Sequence, residues 1–185
     1  NYYPYWTLRN LWMLSKFVPA QNLQIEFLNK WRNRELYNGD KFAPFNYSFD
    51  YLFAITMMGQ PLAWFETSNL PEEAKKTAAI KIYRQHQQMI HRGVIQPLGD
   101  EPSGSSWTGF QSIQPSRGYL LFFRENNEQK NVKIKTLLPP SRNVKLTHVL
   151  GEGSSYVART TDNAELVVGL SKKNSFVLYE YELIK

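Results

Sequence analysis

The passage spanning residues 48–66, SFDYLFAITMMGQPLAWFE, constrains the fold of this chain most. Residues 49–58 are apolar nearly all round, as a buried helix is, and Ser48 stands where a cap is wanted. Gly59 can close that helix in a left-handed conformation, and Gln60-Pro61 forbids its continuation. Residues 61–65 then read as a short buried strand, and the polar run Glu66-Thr67-Ser68-Asn69 follows at its carboxyl end. Helix, tight turn, buried strand, polar loop and next helix make up the pattern of an α/β layer. A buried strand needs neighbours, and the chain before it offers few.

Upstream, residues 7–17 carry Leu8, Leu11, Trp12 and Leu14 at helical spacing, and Pro19 stops them. Asn22 is placed to cap a second helix, with Ile25, Leu28 and Trp31 along one face. Tyr37-Asn38-Gly39-Asp40 is a turn. Residues 42–46 form a brief extended piece whose Pro44 restricts it to an edge or a strand start. Downstream, Asn69 and Glu72 have the spacing of a capping box, with Pro71 tolerated in the first turn. The spacing predicts one helix from there to about Arg92, with Ala78, Ile82, His86, Met89 and Ile90 as its apolar stripe and Gly93 as its end.

After Gly93 the pattern changes. A polar loop at residues 99–106 precedes a series of strand-like segments, separated by turns such as Pro115-Ser116-Arg117-Gly118, Pro139-Pro140 and Gly151-Glu152-Gly153. Leu178-Tyr179-Glu180-Tyr181-Glu182-Leu183 alternates, the mark of one buried and one wet face. Short strands with frequent turns point to an antiparallel β-sandwich. The expected class is α+β, with a helical segment over residues 1–93 and a sandwich over residues 104–185.

Composition narrows the possible functions. The chain has no cysteine, which excludes a disulfide framework, a thiolate metal site and a thiol nucleophile. Its net charge of +6 comes from dispersed pairs such as Arg32/Arg34, Lys75/Lys76 and Lys172/Lys173, with no long basic run, so no nucleic-acid partner is expected. No apolar run reaches the ~18 residues of a membrane span, so no membrane partner is expected either.

Chemistry-bearing residues are sparse. His86 and His91 lie five apart on the expected helix, not the four that aligns two ligands, and His148 lacks an evident partner. No metal or cofactor is expected. Asp50 sits in the first turn of the buried helix, where its charge suits the helix dipole. Glu66 follows a buried strand, and strand carboxyl ends face the active site in an α/β barrel. Trp64 beside it either stacks on a sugar ring or belongs to the core, and Glu66 is either a pocket wall or an ordinary loop acid. Two carboxylates flanking a scissile bond are the glycosidase arrangement, but nothing fixes the separation of Asp50 and Glu66. Trp107 and Phe110 either form a sugar platform or pack the sandwich against its neighbour.

The motifs YWTLRNLW, IEFLNKWRN, DYLFAITMMGQPLAWFE, HRGVIQPLG and SWTGFQSI, in this order, resemble the C-terminal third of α-galactosidase-like (melibiase-type) glycoside hydrolases. The resemblance spans nearly the whole chain. It implies the helical tail of a (β/α)8 barrel followed by a C-terminal antiparallel β-sandwich, with residues 42–45 as barrel strand seven and residues 61–65 as strand eight. It implies a parent enzyme that is a retaining glycoside hydrolase whose catalytic acids lie before Asn1; the compartment stays open, with secreted or periplasmic among the alternatives. Trp64, Glu66, Asp50 and Trp107 are then candidate substrate-binding residues, and no catalytic residue is expected in this chain. The implied partners are a glycan, bound through the parent enzyme, and the rest of the barrel or another copy of the chain. The rival reading is a non-catalytic carbohydrate-binding or structural β-sandwich module.

Overall fold

The computed structural model describes residues 3–32, 34–63 and 71–184. It is a mixed α+β structure, a few N-terminal helices followed by a six-stranded antiparallel sheet. The first helix, α1 (Pro4–Leu14), buries Leu8, Leu11 and Trp12 as one stripe, and Pro4 opens it where a missing N–H costs nothing.

Two expectations about the next forty residues fail. Asn22 does not cap a helix. It ends a single 3-10 turn (Ala20–Asn22), and the chain then extends as strand β1 (Gln24–Glu26). The helical spacing of Ile25, Leu28 and Trp31 misled, because the strand and the turn after it place the same residues inward. The alternation Gln24-Ile25-Glu26, exposed, half-buried, exposed, is the signal that matters. Nor is residues 42–45 a strand. Pro44 opens another 3-10 turn (Pro44–Asn46), and Asp40 holds it, accepting from the Phe42 N–H at 2.9 Å and the Asn46 side-chain amide at 2.9 Å.

The buried helix α2 (Phe49–Ala54) is shorter than expected, and residues 55–58 continue it as buried turns. Ser48 caps it as expected, its Oγ accepting from the Tyr51 N–H at 3.1 Å. Gly59 is not left-handed. A Cβ there would lie 2.8 Å from the Leu23 carbonyl oxygen, so glycine is required because β1 runs against the turn. Strand β2 (Gln60–Leu62) follows and pairs in parallel with β1, Gln24 opposite Gln60 and Glu26 opposite Leu62.

The expected long helix is two, α3 (Glu72–Lys76) and α4 (Ala79–Arg92). Thr77 breaks it. Its backbone is extended, and its Oγ1 accepts from the Ala79 N–H at 3.1 Å, as a helix cap does. Gly93 ends α4 in an extended conformation rather than a left-handed one, and glycine is required there because a Cβ would strike the Ser112 hydroxyl.

The strands fall close to where the turn signals put them: β3 (Val94–Gly99), β4 (Trp107–Ile113), β5 (Arg117–Arg124), β6 (Asn131–Lys135), β7 (Asn143–Gly151), β8 (Tyr156–Arg159), β9 (Glu165–Gly169) and β10 (Ser175–Ile184). Six form one antiparallel sheet in the order β3-β4-β5-β10-β7-β8, and β6 and β9 form a small second sheet. The large sheet is buried on both faces at its centre. Tyr119, Leu121, Phe123, Phe176 and Leu178 pack with Leu8, Tyr51, Phe53 and Ile90 of the helices. Leu120, Phe122, Val177, Tyr179 and Tyr181 face Ile134, Leu166 and Val168 of the small sheet. This explains the unbroken run Tyr119-Leu120-Leu121-Phe122-Phe123, which a one-sided sheet would not carry. The result is three layers, with helices on one face of the large sheet and β6–β9 on the other. Among the described residues no helix is long and apolar enough to cross a membrane.

Candidate functional site

The parallel pair β1–β2 defines a carboxyl-terminal rim. The Gln60 N–H donates to the Leu23 carbonyl at 2.8 Å and the Phe27 N–H to the Leu62 carbonyl at 3.2 Å, so odd-numbered residues of β1 spend their main-chain groups on β2. Glu26 ends β1 on this rim and is exposed. It is a rim carboxylate that the sequence reading missed by placing its segment on a helix; the two-residue alternation would have found it. Trp64 and Glu66, the candidates after β2, lie outside the described residues.

Beside the rim, a polar cluster organises the N-terminus of α2. Glu73 accepts from the Phe49 N–H at 3.0 Å and from the Lys30 ammonium at 3.1 and 3.2 Å. Burial works to raise the Glu73 pKa, but the Phe49 N–H and Lys30 outweigh it and hold the carboxyl below its ordinary value. The Trp31 ring stacks on Phe49 at 5.7 Å between centroids, and Phe27 meets the same ring edge-on at 5.9 Å. Asp50 accepts a short hydrogen bond from the Thr77 hydroxyl, which ties α2 to the start of α4. Asp50 thus has a structural partner as well as the helix-dipole position expected of it.

The remaining candidates lie elsewhere. Trp107 is 4% exposed, its indole N–H donating to the Gln129 carbonyl at 2.9 Å, and it packs in the core between the two sheets rather than against the helices. Phe110 does face the helices. His86 meets the Tyr119 hydroxyl at 3.0 Å, a contact between α4 and β5. His91 sits between the Tyr83 hydroxyl at 3.3 Å, the Met57 carbonyl at 3.4 Å and the Gln60 amide at 3.3 Å, and burial lowers its pKa. His148 reaches the Gly151 carbonyl at 3.0 Å across its own turn. Among the described residues no group of three or more His, Asp or Glu side chains is placed to hold a metal ion. Among the described residues the rim offers single carboxylates, amides and aromatic rings, groups that bind hydroxyls, without a facing acid pair.

No family model matches the chain, and no curated relative does. Solved structures do. A noncanonic maltogenic α-amylase, AmyB from Thermotoga neapolitana, superposes with a TM-score of 0.59 at 13% identity, over 96% of this chain and 46% of that one. An α-amylase from Anoxybacillus gives 0.57 at 12% identity, over 98% of this chain and 45% of that one. The α-galactosidase AgaA from Geobacillus stearothermophilus, in complex with stachyose, gives 0.53 at 14% identity, over 74% of this chain and 20% of that one. At such identities the likeness is one of fold. This chain has the fold of C-terminal regions of glycoside hydrolases. It spans less than half the length of each of these neighbours.

Proposed function

We propose that this chain is the C-terminal part of a retaining glycoside hydrolase of the α-galactosidase-like kind, acting on an α-linked glycan. Strands β1 and β2 are the last two strands of its barrel, and the rim at Glu26 is one wall of the sugar pocket. One observation carries the reading: parallel strands, helices and an antiparallel sheet follow one another in a single arrangement that superposes on α-amylases over 96–98% of the chain and on an α-galactosidase over 74% of it. The rim fits the role, since active sites of such barrels gather at the carboxyl ends of the strands. The absence of a facing acid pair among the described residues is consistent with catalytic acids carried on other strands. The chain alone is then inactive. The open edges of β1 and β2 pair with further barrel strands in the parent, which makes the rest of the barrel the partner of this half.

The test has two readouts. Nitrophenyl α-galactoside and nitrophenyl α-glucoside should both go unhydrolysed by the isolated chain, and turnover of either would sink the claim that the acids lie elsewhere. Galactose or glucose at high concentration should shift the backbone amides of Glu26, Asn29 and Lys30 in a heteronuclear NMR titration. Amides there that stay still under both sugars would remove the pocket wall.

A further inference from the structure

The break between α3 and α4 opens a cleft on the surface. It has a volume of ≈ 570 Å³, within the range of small-molecule sites. Lys75 of α3, Thr77 at the break, and Ile80, Lys81, Arg84 and Gln85 of α4 line it. Thr77 fixes its shape. The Thr77 hydroxyl donates to Asp50 and accepts from the Ala79 N–H at 3.1 Å, so the chain turns there instead of running on as one helix.

Charge distinguishes this cleft. From residue 74 to residue 99 the chain has five Lys and Arg and no Asp or Glu. Three of the five, Lys75, Lys81 and Arg84, line the cleft, and all three are exposed. The side chains of Lys81 and Arg84 have neither an ion pair nor a hydrogen bond among the described residues. They lie three apart on α4, where like charges repel. The neighbouring acids are committed. Asp50 holds the Thr77 hydroxyl, and Glu72 is shared between Lys75 at 3.4 Å and Lys76 at 3.6 Å. A solvated helix face ordinarily interleaves acids with its bases. This one gathers unpaired bases on a concave surface.

We infer that this cleft binds a phosphate group, free or carried on a small organic molecule. The Arg84 guanidinium matches two phosphate oxygens at once, and the Lys75 and Lys81 ammonium groups bring point charges to the rest. A phosphate dianion neutralises a surplus that a carboxylate, with its single charge, leaves partly standing. The Gln85 amide has no partner among the described residues and offers a donor and an acceptor to hydroxyls of an attached group. The cleft makes no use of Glu26, so this site does not depend on the proposed pocket wall.

The test titrates the chain with inorganic phosphate, glucose 6-phosphate, glucose and acetate, following the Arg84 Nε–H and the main-chain amides of residues 77–81 by NMR. Both phosphates should shift these signals, with an affinity that falls as salt is raised, and glucose and acetate at the same concentrations should not. Tighter binding of glucose 6-phosphate would assign the site to a phosphate ester, and equal binding to the free ion. Lys81→Gln and Arg84→Gln should each weaken phosphate binding about tenfold, the effect of one charge-assisted hydrogen bond. Both side chains are exposed and unpaired among the described residues, so the variants should melt with the parent. Arg84→Lys keeps the charge but loses the planar fork, and should still weaken binding. Lys133→Gln, across the large sheet, should leave it unchanged. Shifts of equal size with acetate would overturn the site, as would phosphate shifts at Lys133, Lys145 and Lys172 as strong as those in the cleft. No shift in the cleft would overturn it too. None of these outcomes bears on the sugar response at Glu26, Asn29 and Lys30, by which the proposed function is judged.

Discussion

The indole N–H of Trp12 donates to the carbonyl of Leu98 at 3.0 Å, a buried bond between residues 86 positions apart. It joins the first helix to the first strand of the large sheet, and the two halves share one apolar core around it. Replacing Trp12 with Phe should keep most of the packing and leave that carbonyl with a poorer set of donors. The expected cost is about 1–2 kcal/mol. Urea unfolding should stay a single transition, shifted to lower denaturant. Two separated transitions would contradict a shared core.

Glu125 holds the polar loop between β3 and β4. Its buried carboxylate accepts from the N–H groups of Ser103, Gly104 and Ser106 at 3.0, 2.8 and 2.8 Å. Burial raises its pKa and outweighs the lowering by those donors. A raised carboxyl binds more protons folded than unfolded, so its stabilising contribution is full below the ordinary glutamate range and is lost as pH rises through the folded value. Glu125→Gln should remove that decline and keep one acceptor oxygen. Glu125→Ala orphans buried donors and should cost about 3 kcal/mol or more. Thermal melts of both variants across the acid-to-neutral range check the sign; a Gln variant that loses stability in parallel with the parent would refute it.

His91 gives the opposite slope. Burial lowers its pKa, so the unfolded chain binds the extra proton first as pH falls. The stability gained by keeping the ring neutral is present above the ordinary histidine value and is lost as pH drops from there toward the folded value. His91→Phe should flatten that part of the profile, while losing the contacts to Tyr83 and Gln60. Denaturant midpoints measured on either side of the histidine range would show it. An unchanged slope would mean that the ring does not titrate with folding.

Arg124 is buried at the end of β5, and its guanidinium donates to the carbonyls of Asn127, Glu128, Leu170 and Ser171. A lysine has fewer donors and no planar fork. Arg124→Lys should therefore cost about 2 kcal/mol or more, through carbonyls left without partners. Amide hydrogen exchange should quicken first in the turns at residues 126–130 and 170–174. Exchange that quickens instead in α1 and α2 would place the role of Arg124 elsewhere.

Much of the strand placement along the chain was legible because turn residues punctuate it. Pro115 to Gly118, Pro139-Pro140 and Gly151-Glu152-Gly153 mark the ends of β4, β6 and β7 closely. The helix at α1 was legible from the spacing of Leu8, Leu11 and Trp12. The segment around Ile25 was not. Helical spacing and a three-residue strand followed by a turn bury the same apolar positions, and only pairing with Gln60 to Leu62 separates them. Glu26 was hidden for the same reason. Gly59 and Gly93 were recognised as helix ends, but their need for glycine comes from neighbours distant in sequence, Leu23 and Ser112.

Local chemistry, carried by residues next to one another in sequence, thus settled the class of this protein: Ser48 capping α2, prolines and glycines ending elements, and alternation along β10. Tertiary structure alone decided how the layers meet. It put Trp107 between the sheets and Phe110 under the helices, turned Asp50 toward Thr77, and paired β6 with β9 in a small second sheet. Those outcomes depend on which buried faces and unpaired backbone groups find each other across the chain, and a linear pattern records the need for a partner without naming it.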